Sequence, residues 1–274
     1  VALLCESGTI ALDHFRSRGY VIKPDRTLVT EADLRIEALL TRHLESPDQG
    51  SRVIGEETVT QKGEDYIAAA FREVAWVVDP IDGTAPFAHG FLPWGVSIGF
   101  MENGALRHGA VFMPALGEMM ISDDDGVWLA GGLPPGVRPD EVPLQRFEGV
   151  RQPWSESGMI GISQVLSKWG RLDCPNPVQA SGCAVYALAN LALGRFMAVV
   201  AHIKLWDMAG CWPILQRLGF EGRLTDGTPL TERVDADVYS LDPAAPDRWH
   251  LRDGCVFGAP GVPCKIAPYI EVTR

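Results

Sequence analysis

Trp76-Val77-Val78-Asp79-Pro80-Ile81-Asp82-Gly83-Thr84 runs an apolar stretch directly into two aspartates three residues apart. Ala75 to Val78 is a continuous apolar run, the pattern of a strand buried on both faces of a sheet. Pro80 fixes its own φ, and Gly83 admits backbone conformations that other residues resist, so the stretch after Val78 reads as a turn on which both carboxylates converge. Hard divalent cations such as Mg²⁺ take several oxygen ligands, and Asp79, Asp82 and the Ile81 carbonyl offer them from one short segment. Thr84 adds a hydroxyl placed to orient a water. D-P-x-D-G is also good turn chemistry in its own right. Two facts favour a site: the strand ahead is wholly apolar, and a fixed six-residue string arises by chance about once in 10⁷ to 10⁸ positions at about one in twenty per residue.

Upstream, Ala2, Leu3, Leu4, Ile10, Ala11, Leu12 and Phe15 recur at helical spacing, predicting a first helix that ends near Gly19. Thr30 three residues before Asp33 is a helix-start signal for a second helix over 31–44. Ser51 to Gly55 reads as a strand delivering Glu56-Glu57 at its end. Neighbouring acids there point to opposite sides, so one of them, Glu56, faces the site. Downstream, 94–101, 109–113, 119–122 and 126–132 read as strands, with Glu102-Asn103-Gly104 as a hairpin turn. Pro139 to Gly149 is the expected interdomain linker. Beyond it the pattern predicts a strand over 158–162, helices over 163–170 and 184–193, a strand over 196–200, and a helix over 208–218. Asp207 then precedes an apolar helix, the place of an N-cap or of a ligand. His202 and Lys204 fall on a loop beside it, where they would touch a substrate or simply meet solvent. Lys23 is a rim cation or a surface lysine. Alternating strands and helices predict layered α/β packing, with an N-terminal α+β half over 1–146 and a C-terminal α/β half over 147–274.

The 274 residues, 46% of them hydrophobic, suffice for a substantial core. A net charge of −11 argues against nucleic acid or an anionic membrane surface as partner. Six cysteines without a C-x-x-C pair give no zinc or redox motif and predict free thiols in a reducing cytoplasm. No stretch approaches the ~20 apolar residues of a membrane span, and the start carries no secretory pattern. Because Val1 already falls in a helical pattern, a few residues are expected ahead of it. The scattered Trp94, Trp154, Trp169 and Trp212 read mostly as core.

Gly55-Glu56-Glu57, then DPIDGT with Phe87 three residues on, then Leu205-Trp206-Asp207-Met208-Ala209-Gly210 together resemble the ordered motifs of the inositol monophosphatase superfamily. Leu28 to Asp33 resembles its N-terminal segment, and the similarity covers about Lys23 to Gly222. The resemblance implies a layered αβαβα fold and a phosphoric monoester hydrolase with two or three Mg²⁺ ions, held by Glu56, Asp79, the Ile81 carbonyl, Asp82 and Asp207. Asp33 would lie near a further, weaker ion. Thr84 and Glu56 would activate the attacking water. Gly83 and Thr84 N–H groups would cradle the phosphate, with Asp207, Lys204 and His202 toward the substrate. It implies a homodimer and, as substrate, a small sugar-, polyol- or amino-alcohol phosphate. A 3′-phosphonucleotide or fructose bisphosphate is the alternative, and an idle homologue acting as a metal-binding or oligomeric interaction protein the non-enzymatic one.

Three features bear on the branch. Inositol-specific members commonly carry an acid several positions before Trp-Asp, where Val200 or Ala201 stands here. Ala85-Pro86 stands before Phe87 where the family usually has Thr or Arg and then Asn or Ser, and Pro86 removes a backbone donor. Leu92-Pro93-Trp94-Gly95 and Pro114 to Glu118 look closer to histidinol-phosphatase-like and nucleotidase-like branches.

Overall fold

A computed structural model describes residues 1–15 and 19–272 of the chain. Its strands, in chain order, are β1 (Val21–Ile22), β2 (Leu28–Val29), β3 (Ser51–Gly55), β4 (Val74–Asp82), β5 (Gly95–Glu102), β6 (Ala105–Met113), β7 (Glu118–Asp123), β8 (Gly126–Ala130), β9 (Gln145–Arg146), β10 (Ile160–Ile162), β11 (Gly170–Leu172), β12 (Val178–Ala180), β13 (Ala198–Ala201), β14 (Glu221–Leu224), β15 (Cys255–Gly258) and β16 (Ile270–Val272). The helices are α1 (Ala2–His14), α2 (Glu31–Leu44), α3 (Glu64–Arg72), α4 (Thr84–Ala88), α5 (Gln164–Trp169), α6 (Ala184–Ala192), α7 (Leu205–Ala209), α8 (Trp212–Arg217) and α9 (Val262–Ile266).

β3 to β9 form one sheet in sequence order, with β3 and β4 parallel and the other neighbours antiparallel. The period-two alternation of β4 decides what covers it. Trp76 and Val78 face the cluster built with Leu4, Ala11, Ile36 and Leu40 of α1 and α2. Ala75 and Val77 face the cluster of Leu188, Leu205, Met208, Trp212 and Leu215 from α6, α7 and α8. A second sheet, ordered β12-β10-β13-β15-β14, lays Val199, Ala201 and Phe257 on that same central cluster. Its far face packs Ala198, Val200 and Val256 against Leu166 and Ile266 of α5 and α9. The layers are therefore helix, sheet, helix, sheet, helix, as expected. Each buried Leu- or Val-sized side chain contributes about 1.5–3 kcal/mol to holding them.

The departures from the sequence reading have local causes. α1 ends at His14, short of Gly19, and residues 16–18 lie outside those described. The expected linker is partly structured: Gln145 and Arg146 pair with β8, and Phe147 N–H donates to Val127 O at 2.8 Å, so the first sheet reaches into it. The expected helix over 208–218 starts three residues earlier, at Leu205, and breaks into α7 and α8. Pro213 sits in the first turn of α8, where its missing N–H costs nothing, whereas inside one long helix it would leave an unpaired carbonyl. Trp94 and Trp212 are core residues, but Trp169 is 64% exposed. Among the described residues no helix is long and apolar enough to cross a membrane.

Candidate active site

The aspartates of the opening stretch do not lie on a turn. β4 continues through Asp82, and the turn comes only at Gly83. Residues three apart on a regular strand point to opposite faces. Here Asp79 pairs with Ser97 and Asp82 with Gly95, so β4 spends one residue more than β5 over the interval. This bulge re-aims the strand and brings both carboxylates to one side. Gly83 then takes φ 85°, in the left-handed region, and a Cβ there would stand 2.8 Å from Cys183 Cβ. Glycine is required at this position on both counts.

α7 supplies the third acid. Lys204 is its N-cap and Asp207 its third residue, with Asp207 Oδ2 accepting the Lys204 N–H at 2.9 Å. Asp207 thus caps from inside the helix rather than from the N-cap position, and still opens onto the cavity. Carboxylate oxygens of Asp79, Asp82 and Asp207 lie within 4.8 Å of one another.

The trio is electrostatically strained. Burial, then repulsion from Glu56 and Asp82, pushes Asp79 well above the usual carboxylate range. Burial likewise raises Asp82 to about 7 and Asp207 to about 8, the latter with repulsion from Asp82 and Glu56. Asp82 is partly relieved: Cys183 Sγ donates to its Oδ2 at 3.0 Å and Val185 N–H donates to the same oxygen, placing the carboxylate at the start of α6. Asp79 Oδ1 is buried with no hydrogen-bond partner. An orphaned carboxylate oxygen facing two further acids is a hard-oxygen donor set, and a divalent cation such as Mg²⁺ fits it.

Glu56, at the end of β3, and the Ile81 backbone line the same cavity, of about 350 Å³, with the trio. Glu56 is not part of the close trio, and Lys23 Nζ donates to its Oε1 at 3.3 Å. Lys23 also grips Glu57 at 2.7 and 2.9 Å, so the two neighbouring carboxylates converge on one ammonium rather than pointing to opposite sides, although of the two only Glu56 lines the cavity. Burial pulls the Lys23 pKa down, but Glu56 and Glu57 outweigh it and hold the ammonium above its usual range. Burial and Glu56 together push Glu57 up to about 7. Lys23 is therefore neither a rim nor a surface cation but the counter-ion of this acidic pair.

Thr84 Oγ1 lies 3.0 Å from Ile81 O and 3.3 Å from Asp33 Oδ1. Asp33, fully buried, spends its other oxygen on Thr30, whose N–H donates at 2.8 Å in a capping box, and burial raises it to about 6. It stands behind Thr84 rather than within the trio.

The outer wall comes from distant segments: Ser163, Gln164 and Lys168 around α5, Arg26 and Thr27 between β1 and β2, and His202, Lys204 and His250. The 203–205 and 249–251 segments run antiparallel, with Leu205 N–H donating to Trp249 O and Leu251 N–H to Ile203 O, both at 2.9 Å, which sets His250 beside Lys204. The rings of His202 and His250 stack at 5.5 Å. His250 Nδ1 lies 3.1 Å from Asp247 O. A carbonyl only accepts, so Nδ1 carries the proton and Nε2 of the neutral ring is an acceptor. Burial, Lys204 and His202 lower its pKa to about 4, keeping it neutral at physiological pH.

Sequence reasoning missed Cys183, Ser163, Gln164, Lys168, Arg26 and His250. None sits in a chemical motif, and each reaches the cavity by chain crossing alone. Val200 and Ala201 are both buried, and Ala201 lines the cavity without offering it an acid.

The family model described as the inositol monophosphatase family matches residues 1–252. The histidinol-phosphatase of Chlorobaculum parvum is 36% identical over 252 residues, covering 84% of this chain and 89% of its own length. Inositol monophosphatase 1 of Solanum lycopersicum is 34% identical over 217 residues, covering 78% of each. Among solved structures, a Thermotoga maritima IMPase matches with a TM-score of 0.71 at 19% identity, covering 97% of this chain and 93% of that one. At such identity the structural likeness speaks for the fold, while the family model and the sequence relatives speak for descent. With its acidic cluster in that fold, the chain belongs to the inositol monophosphatase family and is a phosphatase, a phosphoric monoester hydrolase.

Proposed function

We propose that the protein is a Mg²⁺-dependent phosphomonoesterase of a small polyol or sugar phosphate. The observation that carries this is the close trio of Asp79, Asp82 and Asp207, with an orphaned buried oxygen on Asp79. Asp79, Asp82, Asp207, Glu56 and the Ile81 carbonyl would hold two ions, and Asp33 would stand near a third. Mg²⁺ bound there supplies charge neutralisation for the phosphoryl group and acidifies water.

The chain's own groups do the positioning. The Thr84 hydroxyl has one proton to share between Ile81 O and Asp33, which leaves its lone pairs to accept a hydrogen bond from the attacking water. Glu56 lines the same cavity and is the group that would take the water's proton. Gly83 and Thr84 N–H groups, at the start of α4, meet the phosphate oxygens. Phosphoryl transfer needs mainly such positioning and neutralisation, so no protein nucleophile is required.

Acids on the cavity wall are confined, among the described residues, to Glu56, Asp79, Asp82 and Asp207, while Arg26, Lys168 and Lys204 line its outer part. This favours a hydroxylated, uncharged skeleton over an amino alcohol, whose ammonium would meet three cations. The same cations favour a second reading, a substrate with a further anionic group such as a 3′-phosphonucleotide or fructose bisphosphate. The six cysteines stand unpaired, in keeping with a reducing compartment, and family membership supports a homodimer, which light scattering tests.

The functional test is phosphate release from inositol 1-phosphate, glycerol 2-phosphate, fructose 1,6-bisphosphate, adenosine 3′,5′-bisphosphate and histidinol phosphate, each with Mg²⁺ and with chelator. Mg²⁺-dependent release with a preference for uncharged or anionic skeletons is expected. Release unaffected by chelator would remove the metal reading, and a preference for histidinol phosphate would remove the wall argument.

A further inference from the structure

α2 carries two buried carboxylates one helical turn apart, Asp33 and Glu37, at 0% and 1% exposure. Asp33 reaches the Thr84 side of the site. Glu37 does not line the active-site cavity and works from behind it. Its Oε2 accepts the backbone N–H of Glu57 at 2.9 Å. To get there its carboxyl lies against the end of β3, where a Cβ on Gly55 would stand 2.4 Å from Glu37 Cδ. Glycine at position 55 is what leaves room for it.

The residue caught between is Glu56. Its own N–H donates to Val78 O at 3.2 Å, extending the β3–β4 ladder by one bond. The next N–H, of Glu57, is held by Glu37. With the peptide on each side of its Cα anchored, the backbone of Glu56 is fixed at both φ and ψ, and its side chain leaves toward the cavity.

We propose that Glu37 is a positioning residue for Glu56: its hydrogen bond to the Glu57 N–H holds the end of β3 in the orientation that presents Glu56 to the metal site. Together with Asp33, it makes α2 a splint that sets the β3 end and the Thr84 hydroxyl in register. The inference rests on the Mg²⁺ reading of the site.

The test is calorimetric titration of MgCl₂ into wild type, Glu37→Gln, Glu37→Asp and Glu37→Ala, with thermal melts establishing that each is folded. Glutamine retains an acceptor at the right reach and should bind Mg²⁺ within about threefold of wild type. Aspartate keeps the charge but falls one methylene short. It and alanine should weaken binding by about 10- to 100-fold, the usual consequence of losing a group that orients a ligand. A residue with a purely structural role would lower the melting temperature and leave the Mg²⁺ affinity of the folded protein intact. Wild-type affinity in folded Glu37→Asp overturns the proposal, as does an equal loss in Glu37→Gln, which would make charge rather than the hydrogen bond the active property. Failure of the wild type itself to bind Mg²⁺ would overturn the metal reading and this inference with it.

Discussion

Asp207→Asn should stabilise the metal-free protein and abolish its thermal response to Mg²⁺. The Asp207 carboxyl is raised to about 8 by burial and by its neighbours Asp82 and Glu56. An acid with a folded-state pKa above its free value favours folding most at low pH, and that advantage is lost as pH rises through the folded value. For Asp207 the window runs from about 4 to about 8. Near neutral pH, holding such a group costs up to about 4 kcal/mol relative to a free carboxyl. Asp207 opens partly onto the cavity, where water relieves part of this, so the recoverable stability is about 1–3 kcal/mol. Asparagine keeps an oxygen for the Lys204 N–H and removes the charge. For a chain of this size the gain corresponds to roughly 2–10 °C in Tm. The assay is a pair of melts, in EDTA and in excess MgCl₂, on wild type and variant. Wild type should gain about 3 kcal/mol from Mg²⁺ at a hundredfold excess over Kd, and the variant almost nothing. A metal-free variant that melts at or below wild type, or one that keeps the full Mg²⁺ increment, would refute the reasoning.

Thr84→Ala should lower kcat by about 10²-fold or more while leaving Mg²⁺ affinity by calorimetry within a few-fold, because the hydroxyl orients water and is not a principal ligand; equal losses in both would assign it to the metal. Gly83→Ala should destabilise the fold by about 1–3 kcal/mol in chemical denaturation, since alanine must enter the left-handed region and meet Cys183; an unchanged midpoint would contradict the close approach. His250→Phe should raise KM for a polyol phosphate by about tenfold, the worth of one lost hydrogen bond, and leave KM for p-nitrophenyl phosphate unchanged. A parallel rise for both esters would show that the ring supports the wall rather than reads a hydroxyl.

Much of the architecture is local and was legible from residue order. The α2 boundaries follow from Thr30 and Asp33, whose capping box closes within one turn. The β4 strand follows from four successive apolar residues, and the hairpin between β5 and β6 from Asn103-Gly104, both at positive φ. The αβαβα layering follows from the order of such elements. Of the site, Glu56, Asp79, Asp82 and Asp207 were readable because their neighbours form fixed strings, and the turn expected at Asp79 was misplaced because a bulge, which depends on the partner strand, does the same work.

What the tertiary structure alone decided are relations between groups with no common local pattern. Cys183 meets Asp82 from 101 residues away, His250 is set beside Lys204 by backbone pairing, and Lys23 is drawn onto Glu56 and Glu57. The capping role of Asp207 from inside α7 depends on where that helix starts. The identity of the acids is written in the chain because an ionisable side chain is a local property. Their raised pKa values, the orphaned oxygen of Asp79 and the grip of Glu37 on the β3 end come from burial and close approach, which exist only after distant segments have packed together.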